Sequence, residues 1–159
     1  MTIVIDINTF SMVFDKSNVN YDDFEPVKNW LDRKDGFLLF GGTKYIAELT
    51  RSYRHMRLVR TLKDAGIAVQ IKSDQVDSIE DEIKVLTNGT CCNDQHIMAL
   101  LAAANCSLLC SRDAKLYPFV TQKQYYPKRI KLRVRIYSSA RNTNLLSRTK
   151  LNNIRNADL

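Results

Sequence analysis

No apolar run in this chain approaches the roughly 20 residues that a bilayer-spanning helix needs, so a helical membrane span is excluded within the sequence. Its first residues lack a basic region followed by a long apolar stretch, so no secretory leader is expected and cytoplasmic residence is the default. Paired cysteines are missing too. Cys91, Cys92, Cys106 and Cys110 form no C-x-x-C pair, and adjacent Cys91 and Cys92 make a poor start for a disulfide framework. In a reducing compartment such thiols usually behave as small buried hydrophobes. A zinc site built from Cys106, Cys110 and His96 lacks the paired spacing that structural zinc prefers. Internal repeats are absent.

The most informative absence is of negative charge. Between Ala114 and Ala157 there is no Asp or Glu, while Lys115, Lys123, Lys128, Arg129, Lys131, Arg133, Arg135, Arg141, Arg148, Lys150 and Arg155 all fall there. The formal charge of +7 is therefore concentrated toward one end. A one-sign stretch suggests an anionic partner, either nucleic acid or an acidic protein segment; its plainer reading is a solvated tail. A membrane is the weaker candidate, because no lipid-type amphipathic helix is evident.

What is present fits one domain. A chain of 159 residues can bury an adequate core. Ile3, Val4 and Ile5 mark a buried strand, and short apolar strands recur over residues 37–40, 67–71 and 107–111. Residues 130–136 alternate, with Ile130, Leu132, Val134 and Ile136 on one face and Lys131, Arg133 and Arg135 on the other, as expected of an edge strand. Helical spacing is expected over residues 10–14, 21–33, 77–86, 94–104 and 114–119. The longest expected helix runs over residues 43–65, capped by Thr43 and stopped by Gly66, with Ile46, Leu49, Tyr53, Met56, Val59 and Leu62 inward. Strands alternating with helices predict an α/β fold: three α/β/α layers around a mainly parallel, roughly five-stranded sheet. The expected division is a domain over residues 1–137 and a basic extension over 138–159.

Four acids stand where strands end or helices begin. Asp6 follows the first strand, Asp113 follows the fourth, Asp94 opens a helix, and Glu48 lies early in the long helix. In a parallel sheet the site lies outside the carboxyl ends of the strands. Converging carboxylates in a dry cleft call for a cation. Mg²⁺ or Mn²⁺ suits oxygen ligands without His or Cys. Each acid has a duller reading. Asp6 suits a turn, and Asp94 and Asp113 suit helix caps. Glu48 suits a pair with Arg51 or Arg54. Asp77 is the reserve candidate if Glu48 points away, and His96 reads as structural.

Three stretches carry a resemblance. They are Ile3-Val4-Ile5-Asp6-Ile7-Asn8, Asp94-Gln95-His96-Ile97-Met98-Ala99, and Leu108-Leu109-Cys110-Ser111-Arg112-Asp113. In that order, within strand–helix alternation, they resemble the PIN domain, a metal-dependent ribonuclease family that includes VapC-type bacterial toxins. Ser111 stands where the family more often has Thr, and the extension after Tyr137 matches no part of the family core.

The resemblance implies catalytic roles for Asp6, Glu48, Asp94 and Asp113, with Asp6, Asp94 and Asp113 as ligands of Mg²⁺ or Mn²⁺. Asn8 and Ser111 would support them from behind. It implies an endonuclease acting on RNA and leaving a 5′-phosphate, with an antitoxin protein and a second copy of the chain as partners. RNA contacts are expected from Arg51, Arg54, Arg57, Arg112, Lys115, Lys131, Arg133 and Arg135, and base stacking or plain packing from Tyr117, Tyr125 and Tyr126. The alternative is a non-catalytic RNA-binding or assembly module with the same fold. A flap-type DNA nuclease needs more chain than this, and a receiver domain needs an acidic pair and a late lysine that are not evident.

Overall fold

The structure is a computed structural model that describes residues 1–147. Five strands form one sheet: β1 (Thr2–Ile5), β2 (Phe37–Gly41), β3 (Ala68–Ile71), β4 (Leu108–Cys110) and β5 (Arg135–Tyr137). Their order is β3-β2-β1-β4-β5, and every neighbouring pair is parallel. Parallel pairing demands crossovers, and helices supply them. These are α1 (Phe10–Phe14), α2 (Tyr21–Asp32), α3 (Thr43–Thr50), α4 (Tyr53–Asp64), α5 (Ser73–Leu86), α6 (Gln95–Ala103) and α7 (Tyr117–Val120).

The expected three-layer α/β/α architecture is what the chain adopts. Successive residues of a strand face opposite sides of the sheet. Ile3, Val4 and Ile5 are nonetheless all fully buried, as are Leu109 and Cys110. Both faces of the central strands are therefore covered, which explains their unbroken apolar runs.

The long helix expected over residues 43–65 is two helices. Ser52 is extended (φ −110°, ψ 109°), and its hydroxyl accepts from the His55 amide, capping α4. This local hydroxyl bond offers the backbone an alternative to continued helix. The break shifts the helical phase, so Tyr53, expected inside, is 68% exposed. Thr43 is not the cap of α3. Gly42 holds that position, and Asp77 on α5 accepts from both the amide and the hydroxyl of Thr43. Asp77 is thereby engaged as a structural acceptor. Its helix also begins four residues earlier than expected, at Ser73.

The alternation over residues 130–136 survives as burial: Leu132 and Val134 are buried, Lys131, Arg133 and Arg135 exposed. Only Arg135–Tyr137 pairs as strand. The reason is the short partner, since β4 has just three residues to offer. The last helix expected, over residues 114–119, forms as the single turn of α7.

Beyond β5, residues 138–147 fold back onto α2. A 3-10 helix, Ala140–Leu145, starts at an amide bonded to the Asp23 carboxylate, and the Trp30 indole donates to the Ser147 carbonyl. The rest of the basic extension, with Arg148, Lys150 and Arg155, lies outside the described residues.

The turn that leads from β2 into α3 has no room for a side chain. Gly41 has φ +149°, and an added Cβ would sit 2.3 Å from the Ile71 carbonyl oxygen of β3. Replacing it strains the backbone and pushes apart two paired strands. Gly41→Ala is expected to cost about 1–3 kcal/mol, read as a lower midpoint in urea unfolding with an unchanged slope; an unchanged midpoint would show that this turn is not tight.

Candidate functional site

The chain leaves β1 to build β2 and β3 on one side, then returns to build β4 and β5 on the other. The crevice between β1 and β4 is thus the point where strand order reverses, the usual ligand position of an open parallel sheet. Asp6 directly follows β1 there, and its amide continues the ladder by donating to the Cys110 carbonyl (3.0 Å). Ser111 directly follows β4. Its hydroxyl donates to Asp6 Oδ2 (3.0 Å) and accepts from the Asp113 amide (3.0 Å). One buried hydroxyl therefore ties the Asp6 carboxylate to the Asp113 backbone. Asp6 Oδ1 accepts from the Asn8 amide (3.3 Å), while the Asn8 side chain is exposed. Asp113 Oδ1 accepts from the Lys115 amide (3.1 Å).

Asp94 stands at the N-cap of α6, but among the described residues its carboxylate makes no capping bond. The capping explanation therefore does not account for it. Glu48, one turn into α3, is paired neither with Arg51 nor with Arg54. Its Oε2 meets His96 Nε2 at 3.0 Å. His96 is nearly fully buried, and its Nδ1 has no partner among the described residues. Burial depresses the His96 pKa more than the Glu48 charge restores it, so the ring is held toward neutrality. A neutral ring donating to a carboxylate carries its proton on Nε2. His96 thus holds the Glu48 carboxylate through this contact. No local sequence signal announced this, because the contact spans 48 positions.

Asp6 and Asp94 feel both burial and the charges of the other acids. Burial raises the Asp6 pKa despite the bonds from Ser111 and Asn8, and the charges of Asp113 and Glu48 push it the same way. Burial likewise raises Asp94; His96 offsets this, and Asp6, Asp113 and Glu48 add to it. Beneath them Tyr45, fully buried on α3, donates to the Ile5 carbonyl at 2.6 Å. Burial first, then Asp6 and Glu48, hold its hydroxyl protonated.

The basic residues divide. Arg51 lines a cavity of about 490 Å³ together with Asn8, Ser11, Glu48, His55 and Asp94. Arg54 pairs with Asp15 (3.3 Å) and borders a neighbouring cavity, while Arg57 lies over the Tyr53 ring. Arg112 donates to Asn20 (2.6 Å), next in sequence to Asp113, and Lys115 is exposed nearby. Lys131, Arg133 and Arg135 are elsewhere. They line a cavity with Met1, Ser107 and Leu108, toward the amino ends of the strands. Tyr126 is buried and donates to the Val120 carbonyl, and Tyr125 packs on Phe119.

The donor set around Asp6 is carboxylate oxygen, the right chemistry for Mg²⁺ or Mn²⁺. Among the described residues, no three His, Cys, Asp or Glu side chains gather into a group that would hold a metal ion. This also leaves Cys106, Cys110 and His96 without a zinc site; both cysteines are buried thiols. Mg²⁺ is commonly held through one or two carboxylates plus waters and substrate phosphates. Among the described residues the acids do not form a closed protein cage.

The fold is PIN-like. A chain in the crystal structure of VapBC2 from Rickettsia felis, bound to a DNA fragment from their promoter, superposes with a TM-score of 0.52 at 16% identity, covering 87% of this chain and all of that one. At that identity the likeness concerns the fold alone. No protein-family model and no curated protein matches the sequence. No helix among the described residues is long and apolar enough to cross a membrane.

Asp6 and Asp94 have folded-state pKa values above the ordinary 3.8, so the native state holds their protons more tightly than the unfolded chain does. Their favourable contribution is complete below about pH 3.8 and is lost as pH rises through the raised values. At neutral pH both acids cost stability. Asp6→Asn is therefore expected to melt higher than the parent at pH 7, by about 2–4 °C for each kcal/mol regained. The gap should narrow on acidification. An equal or lower melting temperature at pH 7 would contradict the strain assigned to this carboxylate.

Proposed function

We propose that this chain is a metal-dependent endoribonuclease hydrolysing RNA phosphodiester bonds. The observation that carries the proposal is Asp6: a carboxylate 4% exposed, raised in pKa and within electrostatic reach of three other acids at the strand-reversal crevice. Such an arrangement costs stability unless a cation offsets it. Asp6, Asp94 and Asp113 would hold Mg²⁺ or Mn²⁺. When bound, the ion would neutralise developing phosphate charge and make an attacking water more acidic. Glu48 Oε2 is held by His96, which leaves Oε1 to accept a hydrogen bond from that water. Arg51, lining the same cavity, supplies a cation for a phosphate of the RNA strand. The toxin role, with an antitoxin protein and a second copy of the chain as partners, rests on the resemblance of the three motifs and on the fold shared with the VapBC2 structure.

One observation favours a second reading. The lack of a three-ligand metal group among the described residues fits a non-catalytic RNA-binding or assembly module better than a nuclease. The two readings part on turnover. A fluorescently labelled single-stranded RNA incubated with Mn²⁺ or Mg²⁺ is expected to be cut, with EDTA stopping the reaction. Asp6→Asn and Asp113→Asn should each slow cleavage by roughly a hundredfold or more. Salt-sensitive RNA binding without cleavage, unchanged in both variants, would establish the second reading instead.

A further inference from the structure

We propose that the open groove between the end of α5 and residues 123–133 is a docking surface for an acidic, amphipathic segment of a partner protein. The groove encloses about 710 Å³ and shares no residue with the carboxylate group. Leu86, Pro127, Ile130 and Leu132 give it an apolar floor. Lys123, Lys128, Lys131 and Arg133 stand around that floor, all exposed. Among the described residues, none of these four cations lies within ion-pair distance of a carboxylate. Arg129 beside them is already spent, bonded to both oxygens of Glu82. Among the described residues, no acidic side chain lines the groove.

The complement of this surface is an apolar stripe flanked by carboxylates. Burying the stripe supplies affinity, and the surrounding charges supply orientation and rate. An RNA strand fits less well. Tyr126, the aromatic residue in the lining, is 5% exposed and its hydroxyl is committed to the Val120 carbonyl, so no ring face is offered to a base. Leu86 is a different matter: 41% exposed at a helix end, it presents apolar surface to solvent where a partner side chain would cover it. This surface acts independently of whether the carboxylate group cuts RNA.

The probe is a fluorescein-labelled peptide of about 15 residues, with Leu at helical i, i+3, i+4, i+7 spacing and Glu elsewhere. Its anisotropy is measured against the full chain. Saturable binding is expected, weakened about tenfold or more by the Lys128→Glu/Lys131→Glu pair and by Leu86→Ser separately. Both variants change exposed side chains, and unchanged circular dichroism and melting temperature verify their fold. A peptide of the same composition with scrambled Leu spacing should bind at least about tenfold more weakly. Equal binding of the scrambled peptide, or no effect of Leu86→Ser, would reduce the groove to a nonspecific cationic patch and overturn the proposal. So would a single-stranded oligoribonucleotide whose binding Leu86→Ser weakens, or self-association of the chain that Leu86→Ser abolishes.

Discussion

Burial of carboxylates beside other acids is the constraint around which the candidate site is arranged. Asp6 sits nearly buried at the end of the central strand, and its neighbours Asp113, Glu48 and Asp94 carry the same sign of charge. Folding alone would avoid such a group. Its persistence requires a frame stiff enough to resist relaxation. The parallel sheet provides that frame through β1 and β4, whose fully buried residues fix the two strand-end acids in register. A single hydroxyl, Ser111 Oγ, then bonds to the Asp6 carboxylate and the Asp113 amide. The helices contribute the other two acids. α6 places Asp94 at its N-cap, and α3 places Glu48 against buried His96. Strain held in a polar cluster by a rigid scaffold is the usual signature of a site, not of a core.

Much of this was legible in the residues because it is local. An Asp directly after Ile3-Val4-Ile5 or three residues after Cys110 has to lie at a strand end once the strand is recognised. Parallel alternation then puts both at one edge. The parts that were not legible are those that depend on distant contacts or on direction. Apolar spacing continues smoothly through Arg51 and Ser52, so periodicity could not reveal that the Ser52 hydroxyl ends one helix and begins another. His96 reads as a core residue from its apolar neighbours, and only the fold brings Glu48 to it. Alternation over residues 130–136 tells which face each side chain takes but not which end of the sheet it serves. Lys131, Arg133 and Arg135 therefore looked like partners of the acidic site, yet they line the cavity that holds Met1.

That separation gives the molecule two oppositely charged regions. At the carboxyl edge of the sheet, negative charge accumulates with Arg51 beside it. Away from it, Lys131 and Arg133 belong to surfaces whose floors are partly apolar. The net charge of +7 therefore does not describe one uniform field. Long-range attraction for a polyanion is compatible with both regions, but among the described residues carboxylate oxygens line only the first.

The central claim, that the strained carboxylates exist to hold a cation, is tested most directly by anomalous diffraction from crystals soaked in Mn²⁺. The account predicts a single strong peak at the crevice between β1 and β4, within coordination distance of Asp6 and at least one of Asp94 and Asp113. An absent peak, or one bound only by side chains outside this group, would contradict it.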